Sequence, residues 1–138
     1  MAERSFTVDV VTPERVVLSD TATSLVAPGV QGSFGVLPNH SPMLAELSIG
    51  ELRYRRESGE EVRLAIGGGF FQVFDNKVSI LAEAAERAGE IDAERARRAR
   101  ERARQDQRQA QGAYDDAQVE MAEAAYERAQ NRLRVAGG

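Results

Sequence analysis

A chain of 138 residues with a formal net charge of -4, 42% hydrophobic and 29% charged, has material for a small core and an appendage; it is too short for a large enzyme and too apolar for a disordered chain. The absence of cysteine excludes disulfide staples and thiolate metal sites, and the negative balance argues against a general nucleic-acid binder. Seventeen of the eighteen basic residues are Arg, the side chain suited to phosphate and carboxylate, so their placement matters more than their number.

The N-terminus carries an acid and a base within four residues and no apolar block, which reads as neither a signal peptide nor a membrane helix. A cytoplasmic setting is the expectation. Phe6, Val8 and Val10 alternate with Ser5, Thr7 and Asp9, a strand with one buried and one wet face that ends at Pro13. Short runs of strand composition follow at 15–18, 23–27, 34–37, 51–55, 61–66, 70–74 and 78–81, punctuated by Gly, Pro, Asn or Asp. Glu57, Ser58, Gly59 and Glu60 form one predicted hairpin loop, and Asp75 with Asn76 another. Eight or more short strands on some 85 residues predict a compact β sandwich or flattened barrel.

The composition then changes to Ala, Arg, Glu and Gln without proline, which predicts helix. Residues 86–89 read as a turn or short linker, and Asp92 as an N-cap. Ala96, Ala99, Ala103 and Ala110 share one face of a first helix, and Ala122, Ala125, Ala129 and Leu133 one face of a second. Gly112 is the expected break, with Asp115 and Gln118 resembling a capping box that restarts the chain. The predicted architecture is therefore two-domain α+β: a β sandwich over 1–86 and an antiparallel helical hairpin over 87–138. A seam of methyl groups packs weakly, so the hairpin is expected to be marginal by itself and able to undock.

For catalysis the usual sets are missing: one His, no Cys and no G-x-S-x-G. His40 lies in Leu37-Pro38-Asn39-His40-Ser41-Pro42, a loop stiffened by two prolines, where it either bonds its own backbone or meets a partner. Gly67, Gly68 and Gly69 lack the Lys-Ser or Lys-Thr of a phosphate loop and precede a strand, so a bulge or close backbone approach is the better reading. Among the helix arginines, most read as a solvated, ion-paired face. Arg95, Arg98 and Arg102 share a face, however, and Arg128 and Arg132 are four apart; folding the hairpin would bring guanidinium groups together around an anion.

Val10-Val11-Thr12-Pro13, Gly35-Val36-Leu37-Pro38-Asn39-His40-Ser41-Pro42, Gly68-Gly69-Phe70 with Val73, and Ile80-Leu81-Ala82 followed by Ala85-Glu86-Arg87-Ala88 resemble, in order along the chain, the epsilon subunit of F-type ATP synthases. The resemblance implies a ten-stranded sandwich seated on the gamma subunit against the membrane ring of c subunits. It also implies a C-terminal hairpin that either folds on the sandwich or extends among the alpha and beta subunits and blocks ATP hydrolysis. Such a subunit is not itself an enzyme; it is a peripheral protein on the cytoplasmic face of the bacterial membrane and requires no cofactor. By the same resemblance Ser33, where many relatives carry an acid, and His40 face gamma and the ring.

Ile91-Asp92-Ala93-Glu94-Arg95-Ala96 is similar to the I/L-D-x-x-R-A motif with which some bacterial epsilon subunits bind ATP. Carried outward from it, the resemblance implies a nucleotide site of Glu86, Ile91, Asp92, Arg95, Ala96, Arg102, Arg128 and Arg132, with ATP as a regulatory ligand that is not hydrolysed. Asp92 would cap a helix and Ala96 would pack a seam whether or not ATP binds. The competing class is a free-standing β-sandwich adaptor or ligand-binding module with a coiled-coil arm.

Overall fold

The computed structural model describes residues 4–137; the residues before Arg4, part of the stretch read above for targeting signals, lie outside it. The chain divides into two compact units, 1–88 and 89–138.

The first unit is built from β1 (Phe6–Val11), β2 (Val16–Ala22), β3 (Ser24–Gly29), β4 (Gly32–Val36), β5 (Met43–Arg55), β6 (Glu61–Phe74), β7 (Lys77–Ala82) and β8 (Ala85–Arg87). Strands run in the order β2-β1-β7-β6-β5-β3-β4, with β8 beside the first half of β6. Every pairing is antiparallel except that of β1 with β7. The sheet rolls over on itself. Tyr54 on β5 hydrogen-bonds Asp20 on β2 at 2.6 Å, and the Thr23 amide donates to the Arg55 carbonyl at 2.8 Å, although β2 and β5 lie far apart in strand order. The alternating inward side chains of both layers then share one core, including Val8, Leu25, Leu52, Leu64, Phe71 and Ile80. Phe34 meets Phe71 edge to face, ring centroids 5.0 Å apart.

Among the described residues there are eight strands where the resemblance implies ten, because β5 and β6, 13 and 14 residues long, are each continuous. Counting the halves of each separately gives ten. The glycine run lies inside β6 and performs the phase shift that this continuity needs. Leu64 and Ile66 point inward before it, Phe71 and Val73 after it, so the inward parity changes from even to odd. Gly68 and Gly69 have φ of +101° and +139°. At this point β6 exchanges its partner, from β8 at Leu64, Ala65 and Ile66 to β7 from Gly69 onward. Of the two readings offered for these glycines, the close backbone approach holds, with the Leu81 and Ala82 backbone leaving no room for a Cβ at Gly69. The bulge is corrected, since the register of β6 with β5 and β7 runs through the glycines without a shift and the turnover is made by their left-handed φ instead.

Both predicted hairpin loops form. Arg56 and Glu60 close the first, with Gly59 at φ +91°, and Asp75 and Asn76 turn the second with φ of 49° and 59°. The expectation of a turn at residues 86–89 is corrected: Glu86 and Arg87 are strand, paired with Ala65 and Leu64. The strand completes the edge of β6 that β7 leaves open, a demand invisible in local composition.

In the second unit α1 (Ala93–Gly112) and α2 (Asp116–Gly137) form the expected hairpin. The Asp92 carboxylate accepts the Arg95 amide at 3.1 Å, and Asp115 accepts that of Gln118 at 3.1 Å, so both predicted N-caps are made. The helix ends at Gly112, but the residue that turns left-handed is Tyr114 at φ 56°, with the Asp115 amide reaching back to the Ala110 carbonyl at 2.9 Å. Of the alanines assigned to the seam, Ala96, Ala103, Ala110, Ala122 and Ala129 are buried, Ala125 is half-buried and Ala99 exposed. Buried positions seven apart on both helices are the spacing of a narrow antiparallel seam.

Candidate functional site

Hydrogen bonds cross between the helices on one edge of the hairpin at three rungs among the described residues. Arg100 Nη1 donates to Gln130 Oε1 at 3.0 Å, Arg104 Nη2 to the Tyr126 hydroxyl at 2.6 Å, and Gln107 Nε2 to Glu123 Oε1 at 3.4 Å. The Arg104 guanidinium also lies 5.0 Å from the centroid of the Tyr126 ring. These rungs fix the register: a residue midway between Arg100 and Arg104 is level with one midway between Tyr126 and Gln130. Arg102 therefore stands level with Arg128.

The opposite edge is a groove of about 460 Å3, whose lining includes Asp106, Gln109, Met121, Ala125 and Arg128. Helical spacing continues that edge toward the open end of the hairpin. Arg102 is four residues before Asp106, Arg95 seven before Arg102, and Arg132 four after Arg128. Arg95, Arg102, Arg128 and Arg132 thus share one edge, the first three exposed and Arg132 half-buried. Among the described residues no carboxylate pairs with Arg95, Arg102 or Arg128, whereas Arg97 is paired with Glu94 at 2.7 Å. Ile91 is half-buried just ahead of α1, Asp92 caps it, and Ala96 is in the seam. Glu86 belongs to the first unit, half-buried on β8.

The interhelix rungs were missed in the sequence, where Arg100 and Arg104 counted among the solvated arginines. The signal was there in outline: 100, 104 and 107 on one helix are mirrored in spacing by 123, 126 and 130 on the other.

In the first unit the Asn39 amide donates to Asn76 Oδ1 at 2.8 Å, and Asn76 Nδ2 to the Ser5 carbonyl at 2.8 Å, which pins the His40 loop to the β6–β7 turn. His40 Nδ1 sits 2.7 Å from the Ser41 carbonyl, the self-bonding arrangement foreseen for a loop histidine. Ser33 is exposed on β4 and lines a hollow of about 520 Å3 with Val30, Phe34, Met43, Leu44 and Glu46. Leu44 is 79% exposed there. A separate groove, apolar and about 400 Å3, is lined by Val11, Pro13, Phe70 and Leu81; the last two oppose each other across β6 and β7 and are 62% and 61% exposed. Neither groove was anticipated, since an outward apolar residue in a strand looks in sequence like an inward one.

Where β2 meets β5, Asp20 accepts from Tyr54 at 2.6 Å, from Arg56 Nε at 2.8 Å and from the Thr21 amide at 2.8 Å. Burial pushes the Asp20 carboxyl up, but these bonds outweigh it and hold it below its ordinary value. Burial first, then the neighbouring carboxylate, raises the Tyr54 hydroxyl. This cluster ties the sheet closed.

Two family models cover the chain: the beta-sandwich domain of the ATP synthase delta/epsilon chain over residues 5–88, and the long alpha-helix domain of the same chain over 90–137. The ATP synthase epsilon chain of Syntrophobacter fumaroxidans is 49% identical over 137 residues, 99% of this chain and 98% of that one. That of Nitratidesulfovibrio vulgaris is 46% identical over 135 residues, 98% of each. Among solved structures, a chain of the Euglena gracilis mitochondrial ATP synthase, in an assembly of OSCP, F1 and c-ring, superposes with a TM-score of 0.82 at 25% identity, over all of this chain and 84% of its own.

Proposed function

The chain belongs to the ATP synthase delta/epsilon chain family, and from that we propose that it is the epsilon subunit of a rotary F-type ATP synthase. It is a non-catalytic part of the central stalk, joining gamma to the c-ring and coupling ion flow to ATP synthesis. The observation that carries this is the match of both units, in order, to the two domains of one family, together with the likeness to a chain of an F1 and c-ring assembly. Its partners are gamma, the c subunits and, with the hairpin extended, alpha and beta. The proposed setting is the cytoplasmic face of the bacterial membrane, reached through these partners; no helix among the described residues is long and apolar enough to cross a membrane. Ser33 and His40 are the residues proposed to face gamma and the ring; that Ser33 is exposed and shares its hollow with the exposed Leu44 supports this for Ser33. Tagged protein from its own cells should bring down alpha, beta and gamma; failure to do so would favour the free-standing adaptor.

The finer part of the reading is regulation. The hairpin restrains ATP hydrolysis when extended, and ATP holds it folded through Ile91, Asp92 and Ala96 with the arginines 95, 102, 128 and 132. A shared arginine edge without carboxylate partners for Arg95, Arg102 and Arg128 supports an anionic ligand. A full reversal from extended to folded requires ATP to prefer the folded state by about 5 kcal/mol. ATP should therefore raise the melting temperature of the isolated chain, and Arg95→Ala should abolish the rise; an unchanged melt at millimolar ATP would refute nucleotide sensing.

A further inference from the structure

The two edges of the hairpin are chemically unlike, and we propose that they act against each other: the rungs Arg100–Gln130, Arg104–Tyr126 and Gln107–Glu123 clasp α1 to α2, while Arg102 and Arg128, level on the other edge, push them apart. The clasp is a property of the chain without ligand; its bearing on nucleotide rests on the regulatory reading above.

The seam between the edges is too lightly built to decide the balance. Apart from Asn131 and Val135 near the end of α2, the buried side chains of the two helices are the single methyl groups of Ala96, Ala103, Ala110, Ala122 and Ala129, little apolar area for helices about twenty residues long. On the clasp edge every donor is a guanidinium or an amide, and two of the three acceptors are neutral, so the rungs repel nothing when they close. Arg104 contributes twice, through its bond to the Tyr126 hydroxyl and through its place over the ring. On the far edge two cations stand at one level without a carboxylate partner among the described residues, which disfavours closure until an anion lies between them. Arg104 and Tyr126 touch no proposed ligand group. They are positioning residues: they set the register that makes Arg102 and Arg128 level.

The chain has no cysteine, so Glu101→Cys with Glu127→Cys places a spin label on each helix at exposed positions away from both edges. Label-to-label distances in the full chain, without nucleotide, report the separated fraction whether the helices part intact or by melting. Replacing all three α2 acceptors (Glu123→Leu, Tyr126→Phe, Gln130→Leu) should raise the separated fraction about tenfold or more, and Tyr126→Phe alone about threefold. In the triple background, Arg102→Gln should lower it again, by about threefold. An unchanged distance distribution in the triple variant, or a wider one on adding Arg102→Gln, overturns the proposal.

ATP and inorganic tripolyphosphate are then added to the triple variant. Closure by either supports the opposed edges and shows whether the anion alone suffices. If neither acts while the ligand-free results stand, nucleotide sensing fails and the clasp survives.

Discussion

Gly69→Ala should cost the first unit far more than a glycine substitution in a strand usually does, because two penalties add there. Gly69 has φ +139°, where an L side chain is strained by about 1–3 kcal/mol. A Cβ at this position would also lie well inside contact distance of the Leu81 carbonyl oxygen and 2.7 Å from Ala82 Cα. Both are backbone atoms of the strand that β6 pairs with, so relief demands moving β7, and overpacking of this kind costs a further 1–3 kcal/mol or so. The total, roughly 2–6 kcal/mol and about 4 at mid-range, is a large share of a stability typically about 5–15 kcal/mol. At about 4–8 °C per kcal/mol for a unit of this size, the melt should fall by roughly 15–30 °C. The comparison is Gly59→Ala. Gly59 has φ +91° but nothing within 4 Å of an added Cβ, so only the backbone penalty remains. Melts of the two variants followed by circular dichroism decide the matter: a Gly69→Ala cost within about 1 kcal/mol of the Gly59→Ala cost would refute the packing argument.

The Asp20 cluster makes the first unit sensitive to pH at both ends. With its folded value held below the ordinary one, Asp20 contributes stability that is present above its unfolded value near 3.9 and lost as pH falls through the folded one. Tyr54, raised, contributes stability that is present below its unfolded value near 10 and lost as pH climbs further. Urea midpoints should be flat at neutral pH and drop at both extremes; Tyr54→Phe should cost about 1–2 kcal/mol at neutral pH and remove this residue's alkaline loss. A Tyr54→Phe midpoint equal to that of the parent would dismiss the bond as a contributor. At the hairpin tip Tyr114 is left-handed at φ 56° and 92% exposed, so Tyr114→Gly should stabilise α1 and α2 by about 1 kcal/mol. Hydrogen exchange of the adjoining helix ends should slow, and faster exchange would contradict the capping assignment.

The elements readable from sequence were those held by neighbours in sequence. Asp92 and Asp115 cap helices through bonds three residues away, the two-residue turn at Asp75 and Asn76 needs only its own backbone, and the alanine spacing is a matter of helical period. The candidate arginines could be named in the same way, since Arg95 and Arg102, or Arg128 and Arg132, are related by one helix's pitch. What could not be read was anything decided by a distant partner. The first half of β5, from Met43, depends on Phe71 and Val73 lying opposite, and the passage of β6 through its glycines on Leu47, Ile49 and Ala82. Glu86 and Arg87 are strand because Ala65 and Leu64 lack another neighbour there.

The same division runs through the helices. Composition alone determined that this chain carries a sandwich, then an arginine-rich hairpin with a weak seam, because propensity and periodicity are local quantities. Only the tertiary structure decided which arginines clasp and which repel. That distinction belongs to the register between two helices, and the register is set by Arg100, Arg104 and Gln107 meeting side chains sixteen to thirty residues away.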